Sequence, residues 1–174
     1  MFEIKILAII SFIYILVLSS VTLFNFFYPK NLITKYIHNK FDMNYRSVLM
    51  YCLILSAIGT VSSLYLSEIK NLEPCKYCWF ERIFLFPLVI VYFMTWLKKD
   101  PNGIIISIPF ILIGILLSLY HYAIQVFPVE ESCEIINCSS PYIWELGFIS
   151  IPLMAFFNFF GLLLIIINYK ILSK

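Results

Sequence analysis

Five long apolar stretches, separated by short polar connectors, set the pattern of this chain. Residues 6–28 carry no charge and are long enough for a helix that crosses a bilayer, which needs about 20 residues. Residues 47–67, 103–127 and 147–169 repeat that pattern without a charged side chain. The remaining stretch, 79–97, is uncharged only from Ile83 onward, so it spans fully only if the turn holding Arg82 is drawn to the headgroup boundary. The pattern predicts an all-α integral membrane protein of five spans. The first run exceeds the roughly 7–15 residues of a secretory h-region, and Glu3 precedes it with no small-residue cleavage site near its end, so it reads as a mature helix.

Composition agrees. With 62% hydrophobic and only 13% charged residues, and a mean hydropathy of +0.94, the 174-residue chain has more apolar surface than a soluble domain of that length can bury. The formal charge of +2 implies no nucleic-acid partner. Its distribution gives an orientation. Lys30, Lys35, Lys40, Arg46, Lys98, Lys99, Lys170 and Lys174 fall on one side of the predicted spans, against Lys5, Lys70 and Lys76 on the other, with Arg82 at that second boundary. Positive residues collect on the cytoplasmic side, so the N-terminus is expected outside and the C-terminus inside.

That orientation puts two cysteine pairs, Cys75/Cys78 and Cys133/Cys138, on the extracytoplasmic face, where disulfides persist. Cys75 and Cys78 stand three apart at the mouth of the third span. If Pro74 opens that helix, both lie in its first turn, where free backbone N–H groups and the helix dipole favour a thiolate. Arg82 follows Cys78 by four residues and Cys75 by seven, which places a cation on the same face. Cys133 and Cys138 lie in the loop 128–146, together with Glu130, Glu131, Glu134 and Glu145 and no Lys or Arg. Four such thiols admit a tetrahedral zinc site or a pair of stapling disulfides. The acidic loop and the membrane cation favour a thiol relay over zinc. Cys52, inside the second span, reads as a small packed hydrophobe. His121 and Gln125, four apart in the fourth span, share a face at about the depth of Arg82 and either bond neighbouring helices or hold a polar cofactor headgroup.

Pro74-Cys75-Lys76-Tyr77-Cys78-Trp79 with Arg82-Ile83-Phe84 and Pro87, then Leu119-Tyr120-His121-Tyr122 with Gln125, then Cys133, Cys138 and Gly147-Phe148-Ile149-Ser150-Ile151-Pro152, together resemble the DsbB/BdbC type of disulfide-bond formation proteins. The resemblance implies a four-helix redox domain over 47–174, preceded by an extra transmembrane helix and basic connector over 1–46. It implies a bacterial inner-membrane enzyme that takes electrons from an extracytoplasmic thioredoxin-fold thiol oxidase of the DsbA/BdbD kind. Those electrons pass to a membrane quinone, ubiquinone or menaquinone. By position, Cys133 and Cys138 would meet the partner, Cys75 and Cys78 would pass the electrons on, and Cys78 with Arg82 would contact the quinone ring. Two features depart from the family pattern: the extra first helix, and the four residues that separate Cys133 from Cys138.

Overall fold

The computed structural model describes residues 2–27, 44–127, 138 and 140–172. They form five helices: α1 (Phe2–Phe27), α2 (Tyr45–Leu64, continued by a π turn over Tyr65–Ile69), α3 (Lys76–Lys98), α4 (Asn102–Val126) and α5 (Ile151–Leu172). All five are long and apolar enough to cross a membrane. Large apolar side chains such as Val17, Val61, Ile90 and Leu116 stand exposed around the bundle, a surface that lipid covers and water would not tolerate. The chain is an all-α multi-pass membrane protein. The basic connector over 28–43 and most of the acidic loop lie outside the described residues.

Helices α2 to α5 pack in a closed ring, each against the next and α5 back against α2. Val48 and Leu49 of α2, Leu88 and Tyr92 of α3, Ile111 of α4 and Phe159 of α5 fill its centre. Cys52 is fully buried among them. Gly114 allows the close approach of α4 and α5, since a Cβ there would sit 2.5 Å from the Phe159 ring. Helix α1 stands outside the ring and packs on α5, through Ala8 and Ile15 against Leu153 and Phe157.

Two helix boundaries differ from the sequence expectation, each for a local reason. Helix α3 begins at Lys76, one turn before Trp79, which gives it 23 residues and a full crossing. Cys75 is its extended N-cap residue, and Pro74 stands outside the helix instead of opening it. Helix α5 starts at Ile151 and not at Gly147. Leu146 and Gly147 both take positive φ, 53° and 79°, and the turn they make is closed by paired backbone bonds between Glu145 and Ile149, both 2.8 Å. For Leu146 that conformation is strained, and Gly147 shares the corner at no steric cost.

Candidate functional site

The N-terminus of α3 gathers the sulfurs. Cys75 and Cys78 are free thiols with their Sγ atoms 3.2 Å apart. Helix α4 brings His121 to them, with Nε2 3.5 Å from Cys75 Sγ. The other ring nitrogen, Nδ1, lies 3.0 Å from Glu81 Oε1. Both members of this pair are buried. A carboxylate behind the imidazole fixes ring and tautomer: with Nδ1–H donated to Glu81, Nε2 faces the Cys75 sulfur. Tyr77 packs against the imidazole, ring centroids 5.6 Å apart, and holds it from the outer side.

Cys138 folds back onto this cluster. It is buried, its thiol hydrogen-bonds with Cys75, and its sulfur accepts from the backbone N–H groups of Tyr77 and Lys76. The first-turn donors of α3 therefore point at the loop cysteine, while Cys75 makes no side-chain cap bond of its own. This changes the expected acidity. A thiolate at the helix mouth was expected, but the hydrogen bond that Cys75 donates to Cys78, and after it burial, push the Cys75 thiol up to about 12. Burial likewise raises Cys138 to about 11, against the opposing pull of the Tyr77 N–H. In their reduced state Cys75 and Cys138 are protonated thiols. Cys133 lies outside the described residues.

Arg82 points elsewhere. Its Nε donates to Ser63 Oγ and its Nη2 to the Ser63 carbonyl, both at 3.0 Å, and its guanidinium lies over the Trp79 ring at 5.3 Å. Ser63 sits just before the π turn that ends the second span. Pinned in this way, Arg82 is buried and lines a cavity of about 830 Å³ between α1, α2, α3 and α5. Cys78 and Glu81 share that wall. His121 and Gln125 do not. They line a much smaller pocket of about 10 Å³ with Cys75, Cys138 and Pro152. Cys78 borders both spaces.

Glu81 and Ser63 were not singled out from the sequence. Glu81 carried a legible signal, since an ionisable residue inside a membrane helix is expensive and calls for a partner. Ser63 carried none, because only the packing of α2 on α3 makes it the seat of a guanidinium. One further arrangement bears on chemistry: the ligand atoms of Cys75, Cys78 and His121 all lie within 4.8 Å of one another.

The profile of the family described as Disulfide bond formation protein DsbB matches residues 45–168, a stretch that takes in the cysteines, Ser63, Glu81, Arg82 and His121. The chain belongs to the DsbB family. Among its relatives, the Probable disulfide formation protein C of Halalkalibacterium halodurans is 44% identical over 103 residues, 57% of this chain and 75% of the relative. The SPbeta prophage-derived disulfide bond formation protein B of Bacillus subtilis is 40% identical over 119 residues, 65% of this chain and 80% of the relative. A Probable disulfide formation protein of Chlamydia muridarum is 35% identical over 118 residues, covering 64% and 87%. No solved structure matches the chain. As a DsbB-family protein it serves disulfide bond formation as a membrane oxidoreductase. Helix α1 precedes the matched region.

Proposed function

We propose that this protein reoxidises an extracytoplasmic thioredoxin-fold thiol oxidase of the DsbA/BdbD kind and delivers the electrons to a quinone of the bacterial inner membrane. The observation that carries this reading is the position of Cys78, which borders the sulfur cluster on one side and the Arg82 cavity on the other. In this reading both cysteine pairs and the N-terminus face outward and the C-terminus is cytoplasmic. Residues 47–174 form the redox domain, and residues 1–46 add a helix and connector to it.

The exchange begins when a partner thiolate attacks Cys133 in the Cys133–Cys138 disulfide, and it leaves both loop cysteines reduced as the partner is oxidised. Cys138, deprotonated, then attacks Cys75 of the Cys75–Cys78 disulfide. The Cys138–Cys75 bond forms, the Cys75–Cys78 bond breaks, and Cys78 leaves as a thiolate. Leaving groups depart faster when their charge is stabilised, and Arg82 one turn along the helix is a fixed cation for that purpose. Cys133 next attacks Cys138, which restores the loop disulfide and releases Cys75, to which His121 returns a proton. His121 and Gln125 serve the sulfur side in this scheme, with Glu81 holding the imidazole in place.

The cavity fits a quinone. Its surface is almost wholly apolar, it has room for a prenylated ring, and its one cation stands beside Cys78, where Ser63 occupies two of the five guanidinium donors. A quinone held there would supply the acceptor for the two electrons and two protons released as Cys75 and Cys78 return to the disulfide. Arg82 and Cys78 would hold its ring. The test is oxidation of a reduced thioredoxin-fold protein by the purified chain. One quinone should be reduced per disulfide formed, and oxidation at the same rate without quinone would refute the reading.

The Cys75, Cys78 and His121 donor set, with a carboxylate behind the histidine, is also the form of a metal site with an oriented ligand. Metal analysis decides between the two readings. A stoichiometric ion that must be removed before Cys75 and Cys78 can cycle would favour metal.

A further inference from the structure

Helix α1 lies outside the region matched by the family, yet it forms one side of the large cavity. Leu7, Ser11, Tyr14, Leu18, Val21 and Asn25 all line it. Their alternating spacing of four and three residues is one continuous face of a helix. From Leu7 to Asn25 that face runs about 27 Å at 1.5 Å per residue. The opposite wall comes from Leu55, Ile58 and Leu66 of the second span and from Met154, Ile165 and Asn168 of α5. The cavity therefore extends from Cys78 and Arg82 down most of the membrane thickness.

Polar contacts hold α1 at both ends of this space. At the cysteine end Glu3 accepts from Tyr65 and pairs with Lys70, and Lys5 stands 3.8 Å from Glu145. At the far end Asn25 Nδ2 donates to Asn168 Oδ1 at 2.9 Å, and Asn168 Nδ2 donates to Thr22 Oγ1 at 2.6 Å. In the middle, Gly161 makes room for the Tyr14 ring, since a Cβ there would lie 2.6 Å from its hydroxyl. These contacts fix α1 against α5 and leave the space between α1 and the second span unfilled. The oxygens of Tyr14, Asn25 and Asn158 that lack a hydrogen-bond partner among the described residues are themselves buried within the walls. The space itself is bounded almost wholly by hydrocarbon.

We propose that α1 is the outer wall of a channel for the hydrocarbon tail of the electron acceptor, so that this chain selects quinones by tail as well as by ring. The proposal rests on the quinone reading above. An apolar channel that starts at the sulfur and cation and runs along the membrane fits a molecule with a reactive ring and a long apolar chain. A lipid acyl chain matches the channel but gives no reason for it to begin at Cys78.

The test is equilibrium binding in one detergent of two benzoquinones with the same ring, one bearing a ten-carbon tail and one bearing none. Leu18→Trp fills the channel from α1, and Ile13→Trp puts the same side chain on the exposed face of that helix. Leu18→Trp should weaken the tailed quinone at least tenfold and leave the tail-less ring within twofold, and Ile13→Trp should change neither. Val21→Trp replaces Leu18→Trp if that variant unfolds. Equal loss of both quinones, no loss of either, or displacement of co-purified phospholipid with tailed-quinone affinity unchanged would overturn the proposal. If the unsubstituted protein binds neither ring, the quinone reading itself fails. If it binds both rings equally well, only the tail channel fails.

Discussion

The two spaces on either side of Cys78 are built in opposite ways. The sulfur side is crowded, with three thiols, an imidazole and an amide around about 10 Å³ and the Glu81 carboxylate behind the imidazole. The Arg82 side is roomy and apolar, with a single cation at the mouth of about 830 Å³. Thiol exchange needs sulfurs in contact and a group to move protons, and it has no use for volume. A lipid-soluble acceptor needs volume, dryness and one charge placed where negative charge develops. The difference assigns one half-reaction to each side, and of the described cysteines only Cys78 borders both. Glu81 also lines the large cavity while its carboxylate holds His121, so the His121–Glu81 pair crosses the same partition.

Several substitutions would break that division. The largest effect is expected for Cys78→Ala, which removes the sulfur common to both spaces. Electron delivery to quinone should fall below detection while the partner still forms a mixed disulfide at the loop, as read on a non-reducing gel. Next is His121→Gln, which keeps a polar side chain but removes the acid–base group beside Cys75. Loss of general acid–base help costs about 10²-fold or more. Stopped-flow transfer from the loop dithiol to Cys75–Cys78 should slow by that order, with quinone affinity unchanged. A change in quinone affinity alone would move His121 to the other side of the comparison.

Arg82→Gln should do the reverse. Removing a charge-assisted hydrogen-bond donor costs about 1.5–3 kcal/mol, on the order of a ten- to hundredfold rise in the apparent KM for quinone, while exchange at the loop proceeds. Unchanged quinone kinetics would reduce Arg82 to a tie between the second and third spans through Ser63. The smallest effect is expected for Cys52→Ala. This thiol packs with Leu49 and Tyr92 in the ring core and lines neither space, and its truncation should lower thermal stability by about 1 kcal/mol without changing turnover.

The spans were legible because their signals are local. Each is a run of uncharged residues, and every run became a helix, α1 included. The cysteines and Arg82 were legible by type and spacing. What the sequence did not disclose depends on contacts between distant segments. Cys138 lies 63 residues from Cys75 in sequence, and no periodicity announces that it lies buried against the α3 N-terminus. The thiolate expected of Cys75 failed for the same reason, because the N–H groups of Lys76 and Tyr77 serve Cys138 and Cys75 donates to Cys78. His121 and Arg82 stand at similar depth, but depth gave no means of telling that they face different spaces. The role of α1 was equally hidden. A helix that is apolar all round shows no preferred face, and its cavity-lining stripe emerges only once α5 and the second span stand beside it.

The central claim is that electrons enter through Cys138 and Cys75 and leave through Cys78. Its most direct measurement uses the double variant Cys78→Ala, Cys133→Ala, which leaves Cys75 and Cys138 without their usual partners. Mild oxidation of this protein in membranes, followed by digestion and mass spectrometry under non-reducing conditions, should yield the Cys75–Cys138 peptide pair as the dominant intramolecular disulfide. The companion variant Cys75→Ala, Cys133→Ala should give little Cys78–Cys138 product. Comparable cross-linking of Cys138 to Cys78, or no Cys75–Cys138 bond at all, would contradict the division on which the account rests.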